Sequence, residues 1–205
     1  MKIAIDIDKT LLECEGIAYK LAVGFERSGK KLKNKQKPLK FNEINTSKKV
    51  EQGFLKNIQK MLNVKYYHPM QNSVEVIKQW QQRGYELVFL SSKPSAYKAP
   101  LIEFLQKHKL TSIKTIIACN NKVKYCLLNN VDVLIDDKYS NCLSAKNAGI
   151  KSIMFRNDAT EKTYKEFNDM QIVTSWNEIN SIVEAMNNEK DTEQLDSCQG
   201  EGIEL

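Results

Sequence analysis

The chain of 205 residues reads as an α/β protein: a doubly wound, mostly parallel sheet with a small helical cap inserted after the first strand. Three observations predict this. Short apolar runs such as KIAIDI, YELVFLSS and VDVLIDD recur along the chain, each with the length and composition of a strand buried on both faces. Stretches of helical period separate them. After the first strand, about 55 residues carry helical patterns and no strand signal, too many for an ordinary crossover loop.

KIAIDI opens the sheet. The insert, residues 13–68, contains GIAYKLAVGFERSG and VEQGFLKNIQKML and is expected to lean over the strand ends as a helical cap. QNSVEVIKQWQQRG is expected as a helix with Val74, Ile77 and Trp80 on one side and Gly84 as its stop. YELVFLSS follows as the second strand, SAYKAPLIEFLQKHK as a helix and IKTIIA as the third strand. NKVKYCLLNN is helical, VDVLIDD is the fourth strand and YSNCLSAKNAG is helical again. IKSIMF and QIVTS are strands, and WNEINSIVEAM closes the fold as a helix. The core domain is thus expected over 1–12 and 69–186. The acidic, polar end, 187–205, is expected to be disordered.

Composition narrows the function. Hydrophobic residues make up 41% and charged residues 27%, enough for a real core. No apolar run approaches the roughly 20 residues that span a bilayer, and the start lacks the apolar core of a secretory signal. Five scattered cysteines, Cys14, Cys119, Cys126, Cys142 and Cys198, form no C-x-x-C. They suit a reducing cytoplasmic setting rather than a disulfide framework or zinc knuckle. The net charge of +6 is concentrated in SGKKLKNKQKPLKFNEINTSKK, inside the insert. That run could attract a nucleic acid. It lacks the interleaved aromatics of a single-strand groove, which favours a solvated lysine-rich loop.

The strand ends carry the chemistry. The first ends in Asp6, Asp8 and Thr10, the second in Ser91, Ser92 and Lys93, and the fourth in Asp136 and Asp137. The helix after the third begins with Lys122 and Lys124. Asp6 and Asp8, two residues apart, are expected to aim the same way. Two carboxylate pairs at one sheet edge repel each other unless a cation lies among them. A hard ion such as Mg2+ answers that need, taking carboxylates, waters and a substrate phosphate. A lysine and a hydroxyl can grip the remaining phosphate oxygens.

The order IDIDKT, FLSS, lysine, LIDD resembles the four motifs of the haloacid dehalogenase superfamily, over about Met1 to Glu184. AGIKSIMF and VTSWNEI make it most similar to the 5'(3')-deoxyribonucleotidases and related nucleotidases. The resemblance implies Asp6 as the nucleophile, forming an aspartyl-phosphate, and Asp8 as general acid and base. It implies Ser91, with Ser92 beside it, and Lys122 as phosphate ligands. Asp6, Asp136 and the backbone carbonyl of Asp8 would bind Mg2+, and Asp137 would support the metal's waters. Lys9 departs from the pattern, since this position is usually glycine. His68 and His108 lie outside the motifs and are expected to be structural or solvent-facing, Cys119 and Cys126 to be core thiols and Trp176 a packing residue.

The expected activity is therefore a Mg2+-dependent phosphomonoesterase, nucleotidase-like, acting on a small phosphorylated metabolite, a nucleotide by the resemblance. No membrane partner is expected. A phosphatase of nucleic-acid 3' ends, or of another small phosphorylated metabolite, is the rival within enzymes. A non-catalytic binding module is the rival from outside them, and it ought to lack a nucleophile or a metal ligand.

Overall fold

The computed structural model describes residues 1–13, 68–156 and 170–199. The cap expected over 13–68, with its basic run, falls almost wholly outside the described residues. Six parallel strands form the main sheet: β1 (Lys2–Asp6), β4 (Glu86–Leu90), β5 (Lys114–Ile116), β6 (Val133–Asp136), β7 (Lys151–Phe155) and β8 (Gln171–Val173). Their order is β5-β4-β1-β6-β7-β8, so β1 sits between the two halves, at the switch point of a doubly wound sheet. Two further strands, β2 (Leu12–Glu13) and β3 (His68–Pro69), pair antiparallel and bring the two ends of the insert together. The sequence carried no sign of them, because two residues cannot show a period.

The helices are α1 (Ser73–Gln82), α2 (Lys98–Lys107), α3 (Lys122–Leu128), α4 (Tyr139–Asn147) and α5 (Trp176–Gln199). Alternation along β1 assigns them to faces. Ile3, Ile5 and Ile7 join a core with Val74, Ile77 and Trp80 of α1, Phe104 of α2 and Trp176, Ile179 and Val183 of α5. Ala4 points the other way, into a smaller cluster with Cys126 of α3 and Ala145 of α4. Each fully buried aliphatic or aromatic side chain contributes about 1.5–3 kcal/mol.

Helix ends follow local chemistry. Gly84, at φ 78°, ends α1, and Gly149, at φ 79°, ends α4. Both occupy the left-handed region that glycine enters at little steric cost. Asn121 caps α3 by accepting the Lys124 N–H at 2.8 Å, which makes Lys122 the first helical residue. Ahead of α5, the Ser175 hydroxyl donates to Glu178 at 2.7 Å and accepts the Glu178 N–H at 3.2 Å, a capping box. This helix spans Trp176–Gln199. The residues beyond Met186 are polar but include Glu, Lys, Gln and Leu, and no glycine or proline interrupts them before Gly200.

Candidate active site

Sheet register assembles the site. Ile3, Ala4 and Ile5 of β1 lie beside Val133, Leu134 and Ile135 of β6, and the same register carries Asp6 alongside Asp136. Both belong to the even-numbered face, over α3. Like charges abreast on neighbouring strands are destabilising, and burial raises the cost further. The fold offsets this with Lys122. Its buried ammonium donates to Asp6 Oδ1 and, at 2.6 Å, to Asp136 Oδ2. Asp6, Asp136 and Lys122 are each no more than 5% exposed.

Further bonds fix the carboxylates. The Thr10 hydroxyl lies 3.3 Å from Asp6 Oδ2. Asp136 accepts the Lys138 N–H at 2.8 Å on Oδ1 and the Asn141 side-chain amide at 2.9 Å on Oδ2. Asn141 stands in the first turn of α4, and no motif or period in the sequence marked it. The indole of buried Trp176 donates to the Thr10 carbonyl at 2.9 Å, tying α5 to the loop after β1. Trp176 packs, as expected, and also holds that loop.

Asp8 takes a different direction from Asp6. The strand ends at Asp6 and the chain turns through Lys9, at φ 65°, so strand alternation does not reach Asp8. Its carboxylate meets Lys93 Nζ at 2.5 Å and the Ser91 hydroxyl at 3.5 Å. Ser91 is buried directly after β4, and Ser92 is exposed beside it. Lys124 is exposed on α3, so Lys122 is the lysine that reaches the carboxylates. His68 is exposed on β3, and His108 stacks on Phe104 at 4.5 Å. Cys119, Cys126 and Cys142 are buried free thiols.

The donor set fits a hard cation. Carboxylate oxygens of Asp6, Asp136 and Asp137 lie within 4.8 Å of one another. All are oxygen ligands of the kind Mg2+ takes. Asp8 does not belong to this carboxylate group, so its expected contribution remains the backbone carbonyl. Electrostatics agree with the fit. Burial, then the Asp136 charge, raises the Asp6 carboxyl well above its ordinary range, and Lys122 only partly counters this. The same two causes push Asp137 up to about 6. Burial disfavours the charged form of Lys122, but Asp6 and Asp136 outweigh it and hold the ammonium protonated. The cluster holds more negative charge than Lys122 balances, and a divalent ion would neutralise it.

Comparison with known proteins bears on the fold. A family model described as the LNS2 domain of PITM 1-3 matches residues 49–129. That is under half of the chain and includes none of the four aspartates. No curated protein matches the sequence. Among solved structures, the chain is similar to one described as a predicted phosphatase from Clostridium acetobutylicum, with a TM-score of 0.60 at 16% identity, covering 89% of this chain and 97% of that one. It is also similar to a conserved haloacid dehalogenase-like protein of unknown function from Agrobacterium tumefaciens, with a TM-score of 0.59 at 14% identity, covering 91% and 98%. A haloacid dehalogenase-superfamily hydrolase from Ehrlichia chaffeensis gives 0.54 at 12% identity, covering 89% and 95%. At such identities the likeness speaks for architecture: this chain has the haloacid dehalogenase-like α/β fold, with its acidic cluster at the carboxyl ends of the central strands.

Proposed function

We propose that the protein is a Mg2+-dependent phosphomonoesterase that works through an aspartyl-phosphate on Asp6 and hydrolyses nucleoside monophosphates. The observation that carries this is the pairing of Asp6 and Asp136 on adjacent strand ends around buried Lys122, with Asp137 in reach of both. Asp6, Asp136 and Asp137, with the Asp8 backbone carbonyl, would hold the ion. When bound, Mg2+ supplies positive charge that offsets charge on the phosphoryl oxygens.

The protein's own groups divide the chemistry. Lys122 and the Ser91 and Ser92 hydroxyls hold the phosphoryl oxygens. An Asp6 oxygen bonds to phosphorus as the bond to the leaving oxygen breaks, and Asp8 gives that oxygen its proton. Asp8 then takes a proton from the water that attacks phosphorus, releasing phosphate and restoring Asp6. The nucleotide specificity rests on the motif resemblance and on the insert. About 55 residues placed directly after the strand bearing Asp6 suit a roof over a small substrate better than a track for a long one.

The test is hydrolysis of an aryl phosphate, then of deoxyribonucleoside monophosphates and 3'-phosphorylated oligonucleotides, by the wild type and Asp6→Asn. The proposal expects Mg2+-dependent turnover, lost in Asp6→Asn with the fold retained, and a higher kcat/KM for the monophosphates. Turnover surviving in a contaminant-free Asp6→Asn preparation overturns the covalent mechanism. A preference for the oligonucleotide that collapses as salt rises overturns the nucleotide assignment, since only a chain of phosphates yields a steep salt dependence.

A further inference from the structure

One cation at the site has no part in the mechanism above. Lys93 follows the serine pair, and its backbone is pinned on three sides. Its N–H donates to the Ser91 hydroxyl at 3.2 Å, its carbonyl accepts the Ala118 N–H at 3.0 Å, and Pro94 follows it. A residue before proline is confined to extended conformations. The side chain is different in kind: a flexible stem, 30% exposed, with its ammonium 2.5 Å from Asp8 Oδ1 and 5.0 Å from the centre of the Tyr97 ring. Around it, Leu12, Leu101, Ile117 and Tyr97 line a narrow slot that opens beside Asp8 and Ser91. A fixed backbone therefore carries a partly exposed charge at the rim of the site.

From this geometry we infer that Lys93 is a substrate-binding residue, a docking cation that pairs with Asp8 in the free site and moves onto the phosphate when a monoester dianion arrives. The inference rests on the phosphatase reading and deepens it. A dianion approaching four aspartates meets net repulsion, and Lys122 is buried and already shared by two of them. Lys93 is partly exposed, and the Asp8 carboxylate that holds its ammonium also contacts the Ser91 hydroxyl proposed to bind phosphate. The exchange replaces one charge-assisted contact by another and leaves Asp8 free to accept, in a later step, the proton from solvent that it gives to the leaving oxygen. Tyr97 offers a second resting place for the ammonium during the exchange. No covalent bond changes in this step.

The test uses the full chain with Mg2+. Inorganic phosphate binding is measured by calorimetry, and KM and kcat for an aryl phosphate are measured beside it, for wild type, Lys93→Ala, Lys93→Gln and Lys93→Arg. For Lys93→Ala and Lys93→Gln, phosphate affinity is expected to fall and KM to rise by about 10- to 100-fold, the range for a hydrogen bond to a charged group. Lys93→Arg recovers most of it, and kcat moves far less than KM. Unchanged KM and phosphate affinity in Lys93→Ala overturn the inference. So does a fall in kcat alone that arginine does not rescue, since Lys93 would then only position Asp8. If the wild type hydrolyses no phosphate ester, the phosphatase reading fails, while phosphate calorimetry still decides for or against Lys93.

Discussion

Replacing Lys122 by methionine isolates the electrostatic centre of the fold. Methionine fills much of the same volume but leaves Asp6 and Asp136 buried without their shared cation. Removing one partner of a buried pair costs about 3–5 kcal/mol, a large part of the roughly 5–15 kcal/mol that holds a domain. The loss depends on pH, and its sign follows from the carboxylates. Lys122 itself, with its protonation raised, contributes a constant amount at all pH values below the usual lysine range. Asp6 is already raised, and without Lys122 it rises further, because that lysine is among the groups lowering it. A carboxyl whose folded value exceeds its unfolded one stabilises the fold most at low pH and loses that contribution as pH rises through the folded value. The variant's deficit therefore grows as pH rises and shrinks on acidification. Urea unfolding in chelator, followed by the fluorescence of buried Trp80 and Trp176, measures it. Asp136→Asn added to Lys122→Met should return about 1 kcal/mol or more, since it removes one of the two stranded charges. A single variant within about 0.5 kcal/mol of wild type at both acidic and neutral pH refutes the account.

Two other outcomes follow from the same site. Because burial and Asp136 push Asp137 up to about 6 from an ordinary 3.8, its contribution to stability in chelator is fully present below the ordinary value and is lost as pH rises through about 6. Mg2+ should therefore raise the thermal midpoint strongly above that range and little below it, as ligands that must lose protons require; an equal rise on both sides removes Asp137 from the metal site. Trp176→Phe deletes the donor to the buried Thr10 carbonyl, at a cost of about 1–3 kcal/mol, and should lower kcat/KM by loosening the loop that carries Asp8. An unchanged thermal midpoint tells against that bond.

Apolar runs and glycine stops reveal strands and helices because burial and backbone freedom act locally. Strand order is not local. Nothing in KIAIDI or VDVLIDD says that β1 lies against β6, yet only that neighbourhood makes a pair of Asp6 and Asp136 and gives Lys122 two partners. The β2–β3 bracket escaped for a related reason, being two residues on each side and set by the closure of a long insert. VTSWNEI carries a different lesson. It supported a nucleotidase likeness in the sequence, but its Ser175 and Glu178 form the capping box that starts α5. That local role accounts for those two residues without any substrate.

Lys9 joins the local and the distant parts of the site. In the resembling family its position favours glycine, and the structure supplies the physical reason: the chain leaves β1 through a left-handed residue, at φ 65°. A side chain there costs about 1–2 kcal/mol. The loop keeps its course nonetheless, held by the Lys9 N–H bonded to the Leu12 carbonyl at 2.9 Å and by the Trp176 indole on Thr10. The lysine also brings something glycine could not. Its charge opposes the upward shift of Asp137, after burial and Asp136 have raised it. Backbone strain on one side of the loop is thus set against charge balance on the other, where Asp6, Asp136 and Asp137 gather. The departure from the motif leaves the turn, Asp6 and the acidic cluster in place.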